Sequence, residues 1–330
     1  MSQAAPPSAQ YAITARLEYP HAPGWIARIT GAIGEKGANL GAIDLVQVRD
    51  DRSTRDFSIE CSSEDHAREV LATIRRLDEG VVVDVSDNTF LMHLGGKLEI
   101  ASRVPLNTRN DLSMAYTPGV ARVCSAIERT PDASFNLTIR TNCIAVVSNG
   151  TAVLGLGDIG AAAAMPVMEG KAILFKEFGG VDAFPICIDE KDPARVVDLC
   201  RALAPTFGGI NLEDIKAPEC FEIEEVLERE LDIPVFHDDQ HGTAVVVRAA
   251  VINALKLTGR DPASMRVVVA GAGAAGVACI KILKNFGIGE IVACDRKGAI
   301  WDGREDFTAN PAKRWLAENT NAESRRGSLH

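Results

Sequence analysis

The stretch Phe236-His237-Asp238-Asp239-Gln240-His241-Gly242-Thr243 decides how this chain is read. Two adjacent carboxylates stand between an apolar run, Ile233-Pro234-Val235-Phe236, and a long apolar helical pattern that opens after Gly242-Thr243. The pattern predicts a strand, an acidic turn and a helix start. Open α/β sheets hold ligands where strand ends meet helix N-termini. Upstream, Gly208-Gly209-Ile210-Asn211-Leu212-Glu213-Asp214 repeats the arrangement, with Ile210 and Leu212 alternating as on a strand that ends in two more carboxylates. Between the two, Phe221, Val226, Leu227 and Leu231 recur at roughly helical spacing over residues 217–231. A strand, helix, strand crossover makes its strands parallel. Parallel strands end on one edge, so Glu213, Asp214, Asp238 and Asp239 are expected to converge there.

Like charges raise each other's pKa, so four carboxylates at one edge cannot all stay ionised and unpaired. A hard divalent cation, Mg²⁺ or Mn²⁺, resolves the conflict with oxygen ligands, and a nearby lysine also helps. The alternative is a solvated acidic strand edge; two pairs bracketing one crossover weigh against it. His237 and His241 are spaced as zinc-binding histidines can be, but an acidic turn between them would deprive that spacing of meaning.

A chain of 330 residues has room for two or three domains. Its 46% hydrophobic and 24% charged content is that of a soluble globular protein. A net charge of −10 argues against a nucleic-acid partner. No apolar run reaches spanning length, which argues against a membrane, and the N-terminus lacks a secretory pattern. The eight cysteines form no C-x-x-C pair and read as reduced, mostly buried thiols of a cytoplasmic protein.

Residues 1–10, rich in Ala, Pro, Ser and Gln, are expected to be a disordered tail. Over residues 11–90 the pattern changes. Ile13, Ala15 and Leu17 alternate as a strand; Ile26, Ile29 and Ile33 have helical spacing. Ile43, Leu45 and Val46, then Phe57, Ile59 and Cys61, give two strands around the turn Asp50-Asp51-Arg52-Ser53. Ser63 is a candidate N-cap for a second helix, and Val81, Val83 and Val85 close the unit as a strand. The order is a ferredoxin-like βαββαβ plait. Pro23-Gly24 after the first strand and Gly37-Ala38-Asn39-Leu40 after the first helix make this segment resemble an ACT domain. The resemblance implies side-by-side pairing into a homodimer or higher oligomer and a small regulatory effector, with Gly24 and Asn39 as candidate contacts. A purely structural dimerisation plait is the alternative.

Residues 91–240 begin with a linker and a short helix that lead into Tyr116-Thr117-Pro118-Gly119, a turn that can face a tyrosine hydroxyl into a cleft. A strand at Ile144–Val147 is followed by Gly155-Leu156-Gly157-Asp158-Ile159-Gly160, a G-x-G-x-x-G match that Asn149-Gly150 leaves without a long preceding strand. Residues 161–170, then Lys171 and the apolar run Ala172-Ile173-Leu174-Phe175, come next. A strand over 184–189 and a helix over 193–203 lead into the acidic crossover.

Residues 241–330 carry a stronger dinucleotide signature. The buried-type strand Met265-Arg266-Val267-Val268-Val269-Ala270 runs into Gly271-Ala272-Gly273-Ala274-Ala275-Gly276 and an apolar helix. The next strand, Ile291–Cys294, ends at Asp295, about twenty residues beyond the glycines. Gly271 suits the tight turn, Gly273 the approach of the pyrophosphate, and Gly276 the packing of helix on strand. The helix N-terminus faces the phosphates. Asp295 should bind the ribose diol and favour NAD, a preference that neighbouring Arg296 and Lys297 weaken towards NADP.

Taken together, Tyr116-Thr117-Pro118-Gly119, Gly155-Leu156-Gly157-Asp158, Gly170-Lys171, Glu213-Asp214 and Asp238-Asp239 resemble the malic enzymes, in that family's order and spacing. The resemblance implies an α/β chain: an ACT domain, a malic-type substrate domain and a dinucleotide domain. It implies oxidation of (S)-malate to pyruvate and CO₂ with NAD or NADP and Mn²⁺ or Mg²⁺. Glu213, Asp214 and Asp239 would hold the metal, and Lys171, with its pKa lowered, would be the base. Asp238 would orient Lys171, and Tyr116 would protonate the product carbon. Adjacent Glu213 and Asp214 would point opposite ways on a regular strand, so the backbone must turn there.

Two departures stand out. Larger malic enzymes carry an arginine three residues before Gly-Leu-Gly-Asp, where this chain has Ala152. A Rossmann domain needs two βαβαβ halves. After Met265 only two strands, one motif helix and a helical stretch at 311–318 are legible, so the dinucleotide domain is expected to be partial. A non-catalytic binding protein is therefore an alternative. Another nicotinamide-dependent dehydrogenase with an ACT sensor is a third reading, disfavoured because hydride transfer alone needs no paired carboxylates.

Overall fold

Alternating apolar residues along Ser8–Pro20 (β1) build the centre of the first sheet. The computed structural model describes residues 5–77, 81–304 and 310–328, and the chain divides into two units, Met1–Glu99 and Ile100–His330.

In the first unit β1 is followed by α1 (Trp25–Glu35), β2 (Asn39–Arg49), β3 (Arg52–Cys61), α2 (Glu64–Arg75), β4 (Val82–Asp87) and α3 (Asn88–His93). The sheet order is β2-β3-β1-β4, with antiparallel neighbours. Side chains two apart share a face of a strand. Ile13, Ala15 and Leu17 of β1 and Phe57 and Ile59 of β3 therefore form one core with Ile29 and Ile33 of α1 and Val70 and Ile74 of α2. Gly24 adopts φ 90° ahead of α1, a left-handed backbone suited to glycine. The Ser63 side chain caps α2 by accepting from the His66 N–H. The expected tail is shorter than its composition implied. β1 already begins at Ser8, which is paired with Cys61, because antiparallel pairing supplies hydrogen bonds that a polar composition does not preclude. Residues 1–4 of that tail lie outside the described residues.

The second unit opens with three helices, α4 (Arg109–Ala115), α5 (Val120–Arg129) and the short α6 (Ser134–Leu137). A parallel sheet of order β6-β5-β7-β8 follows, built from β5 (Cys143–Ser148), β6 (Asp182–Cys187), β7 (Gly209–Leu212) and β8 (Val235–His237). Its crossovers are α7 (Ala161–Gly179), α8 (Pro193–Leu203) and α9 (Glu219–Glu230). Val196, Val197 and Cys200 of α8 and Ile223 and Leu227 of α9 bury against Ala145, Val147 and Leu212. The strands carry continuous apolar runs because helices cover a parallel sheet on both faces. α10 (Asp238–Thr258) then leads to a sheet of order β11-β10-β9. Here β9 (Arg266–Ala270) and β10 (Glu290–Asp295) are parallel and β11 (Gly298–Ala299) is antiparallel to β10. α11 (Ala274–Phe286) and α12 (Pro311–Asn319) place Val277, Ile280, Leu283 and Leu316 in a core with Ile291 and Ala293.

One expected boundary is corrected. α10 begins at Asp238 itself, so the acidic pair is the first turn of a helix and not a turn before one. Carboxylates at that end are favoured by the helix dipole. α7 joins residues 161–170, Lys171 and the apolar run Ala172-Ile173-Leu174-Phe175 in one helix. No helix among the described residues is long and apolar enough to cross a membrane.

Candidate active site

The site lies where β7 and β8 end. Leu212 is the last residue of β7, and Asp214 takes φ 52°. This left-handed turn breaks strand alternation and lets adjacent Glu213 and Asp214 face one place, as the sequence required. Across from them, Asp239 sits in the first turn of α10. One carboxylate oxygen from each of Glu213, Asp214 and Asp239 lies within 4.8 Å of the others. The backbone N–H of Asp214 donates to Asp239 Oδ2 at 2.9 Å, and the Asn211 amide donates to Glu213 Oε2 at 2.8 Å.

Glu213 and Asp214 are only 6% and 4% exposed. Burial pushes the Glu213 carboxyl up to about 7, with nearby Asp239 adding to the rise. Burial, then Asp239, pushes Asp214 up to about 6. Asp214 Oδ2 is buried with no hydrogen-bond partner. An orphaned carboxylate oxygen is costly unless something positive faces it. Three converging hard oxygen donors, two of them buried, therefore fit Mg²⁺ or Mn²⁺.

Lys171 reaches the same place from α7. Its Nζ donates to Asp238 Oδ2 at 2.5 Å and lies 3.1 Å from Glu213 Oε1. Burial pulls the Lys171 pKa down, but the hydrogen bond to Asp238 and the charge of Glu213 outweigh it, and the net shift is upward. The shift is opposite to the fall expected for a base, because two carboxylates hold the ammonium.

The dinucleotide motif follows β9. Gly271 adopts φ 125°, and a Cβ on Gly276 would lie 1.9 Å from the Gly271 carbonyl oxygen, so helix and turn meet where only glycine fits. A Cβ on Gly273 would meet open space. Gly271, Ala272 and Gly273 line a cleft with Asp295, Lys297 and Lys313. Asp295 is not a free acceptor. Arg304 Nη2 donates to it at 3.0 Å, Lys313 Nζ at 2.7 Å and the Lys297 N–H at 2.9 Å. Burial alone would raise this carboxyl; Arg304, Lys313 and the backbone donor reverse that and lower it to about 2.

The sequence profile of the malic enzyme N-terminal domain matches residues 95–198. Over 326 residues the chain is 50% identical to the NAD-dependent malic enzyme of Geobacillus stearothermophilus, covering 99% of this chain and 68% of that one. The chain belongs to the malic enzyme family. It is also 54% identical over 227 residues to the NADP-dependent malic enzyme of Salmonella typhimurium, covering 68% of this chain and 30% of that one. The crystal structure of the NAD-dependent malic enzyme of Thermotoga maritima matches with a TM-score of 0.71 and 48% identity, over 74% of this chain and 65% of that one. This malic-enzyme chain thus spans about two thirds or less of the length of these relatives.

Within this family frame, some expected residues stand apart from the cluster. Tyr116 ends α4 and is 68% exposed; its hydroxyl makes no hydrogen bond to Lys171 or the carboxylates. Ala152 donates its N–H to the Asp214 carbonyl at 2.9 Å, so it supports the acidic turn through backbone alone. The 155–160 glycine motif is a closed turn: the N–H groups of Ile159 and Gly160 donate to the Gly150 carbonyl, and Asp158 pairs with Lys191. Gly24 and Asn39 stand at either side of α1 in the first unit. Neither histidine belongs to the converging group of candidate ligands among the described residues, and His237 ends β8 ahead of α10. His241 Nε2 lies 2.9 Å from Glu224. His237 Nε2 lies 3.2 Å from Asp239 Oδ2, out of line for a hydrogen bond.

Gly242 escaped the sequence reading as part of the site. A Cβ on Gly242 would lie 2.1 Å from Asp238 Oδ1, so the glycine makes room for the carboxylate that holds Lys171. Its signal was a glycine one helical turn after an acid, which reads equally well as a helix breaker.

Proposed function

We propose that this chain carries the substrate and metal site of a malic enzyme. The reaction is oxidative decarboxylation of (S)-malate to pyruvate and CO₂ with reduction of NAD or NADP. The observation that carries the reading is Lys171 held between Asp238 and Glu213, beside the three-carboxylate cluster. Glu213, Asp214 and Asp239 would hold Mn²⁺ or Mg²⁺. That cation supplies Lewis-acid polarisation of the substrate oxygens and offsets the carboxylate charge that keeps Lys171 protonated.

Lys171 then accepts the hydroxyl proton, and Asp238 keeps its Nζ aimed at the substrate. A bound nicotinamide supplies the hydride acceptor. Gly271, Gly273 and Gly276 shape the turn that lets the α11 N-terminus face its phosphates. Asp295 addresses the ribose, and the cations around it leave NADP within reach as a second cofactor. Tyr116, carried from the family motif, is the proton donor to the carbon from which CO₂ leaves. The first unit acts as an ACT-type regulatory domain that takes a small effector near Gly24 and Asn39 and pairs with a second copy in the cytoplasm.

The test is reduction of NAD, and of NADP in parallel, by the purified protein with malate and Mn²⁺. Turnover that a chelator and Lys171→Ala both abolish supports the reading. A folded protein that neither turns over nor binds Mn²⁺, in this chain or in one extended beyond His330, would sink it.

A further inference from the structure

We propose that Glu224 is a positioning residue for the metal site: its buried carboxylate fixes the β8–α10 junction and so the placement of Asp238 and Asp239. This rests on reading Glu213, Asp214 and Asp239 as a metal site. Glu224 lies on α9 and is only 6% exposed. Glutamates are almost never that buried unless paired. Its Oε1 accepts from the His237 N–H at 2.7 Å and lies 2.9 Å from His241 Nε2; its Oε2 accepts from the Gln240 amide at 2.7 Å.

These three partners bracket the acidic pair, with His237 before it and Gln240 and His241 after it. α10 begins without a side-chain cap of its own from His237. A helix N-terminus presents unpaired N–H groups and attracts negative charge. Glu224 meets that need from a neighbouring helix. The anchor has a specific task. Asp239 must stand near Glu213 and Asp214, whose like charges repel it. Without Glu224, the first turn of α10 is free to move away from the end of β7, and both the ligand Asp239 and the Lys171 partner Asp238 move with it. Glu224 is outside the group of converging ligand oxygens. Both of its own oxygens are engaged by the junction, so it acts through other residues.

The test measures Mn²⁺ binding by calorimetry and by the Mn²⁺ electron paramagnetic resonance spectrum, without substrate, in the full chain and in Asp239→Ala, Glu224→Ala, Glu224→Asp and Glu224→Gln. The unaltered protein binds Mn²⁺ and Asp239→Ala loses it. Glu224→Ala weakens binding by about 10- to 100-fold, the usual cost of losing a group that orients a ligand. Glu224→Gln recovers most of the affinity, because its oxygen still meets His237 and His241 and the Gln240 amide can turn to face its NH₂. If Glu224→Ala does not fold, Glu224→Asp carries the test: one methylene shorter, it cannot span three partners, and it binds Mn²⁺ more weakly than Glu224→Gln. A lowered melting temperature with unchanged Mn²⁺ affinity and spectrum in Glu224→Ala or Glu224→Asp overturns the proposal. Absence of Mn²⁺ binding in the unaltered protein overturns the metal reading, and this inference with it.

Discussion

Lys171, deep in α7, donates a 2.5 Å hydrogen bond to Asp238, the first residue of α10. Two helices separated by two crossovers thus bring the candidate base and its orienting group together. The same ammonium competes with any cation for Glu213, which it approaches at 3.1 Å. Lys171→Ala should therefore separate two properties. In the active enzyme kcat falls by about 10²- to 10⁴-fold, the range of a general base. Mn²⁺ affinity stays the same or rises. Asp238→Asn should lower kcat by a smaller factor and leave Mn²⁺ affinity within a few-fold. Calorimetric titration alongside steady-state kinetics checks both.

The buried acids make the response to metal depend on pH. Glu213 and Asp214 have folded-state pKa values raised to about 7 and about 6. For a group whose folded pKa is raised, the stabilisation is fully present below the unfolded value and is lost as pH rises through the folded value. The metal-free protein should therefore lose stability between about pH 4 and pH 7, and Mn²⁺, by neutralising both groups, should restore it. The Mn²⁺-induced rise in Tm is expected to be larger at pH 8 than at pH 5.5 by several degrees, because about 1 kcal/mol is worth 2–4 °C in a chain of this order of size. Calorimetric scans at the two pH values decide it; an equal rise at both would remove the metal from these carboxylates.

Gly242 offers a third check. Alanine is ordinarily preferred to glycine inside a helix by about 1 kcal/mol. Here the added Cβ would sit 2.1 Å from Asp238 Oδ1 and push that carboxylate off Lys171. Gly242→Ala should keep or raise Tm while kcat falls at least tenfold. A variant that is both stable and fully active would show that Asp238 does not orient the lysine.

These residues differ in how far the sequence exposed them. Convergence of Glu213, Asp214 and Asp239 was legible because strand topology alone brings parallel strand ends together, and the turn at Asp214 followed from two neighbouring acids needing one direction. Lys171 was legible only through the family motif. What delivers it is the packing of one long helix over β5 and β6. The start of α10 was misplaced because Asp-Asp and Gly242 both carry turn chemistry, while the anchor that makes them helical sits on another element. Glu224 itself was invisible: on α9 it stands among Glu222, Glu225 and Glu228, and only tertiary packing tells the buried acid from the solvated ones. In the first unit, alternation located the strands, but the start of β1 at Ser8 depended on its pairing with Cys61.

Cofactor choice should turn on the cations that hold Asp295. Arg304 and Lys313 donate to its carboxylate, and their side chains, like its own, are largely shielded. Asp295→Ala removes the negative group that repels a 2′-phosphate and leaves the Lys313 ammonium and the Arg304 guanidinium, which still donates to the Gly298 and Ala299 carbonyls, without a carboxylate beside the ribose position. The ratio of kcat/KM for NADP over NAD should rise by at least tenfold, since a positive group at this position accommodates the extra phosphate. Lys313→Ala should move the ratio the other way. Stability gives an independent reading. The Asp295 pKa is lowered to about 2, so its contribution is present above the unfolded value of about 3.8 and disappears as pH falls towards 2. Asp295→Ala should lower Tm relative to the parent by clearly more at pH 7 than at pH 2.5, where part of the contribution is already lost. If the NADP-to-NAD ratio of kcat/KM stays unchanged while Tm falls at pH 7, Asp295 serves only to tie β10 to α12, and the ribose is recognised elsewhere.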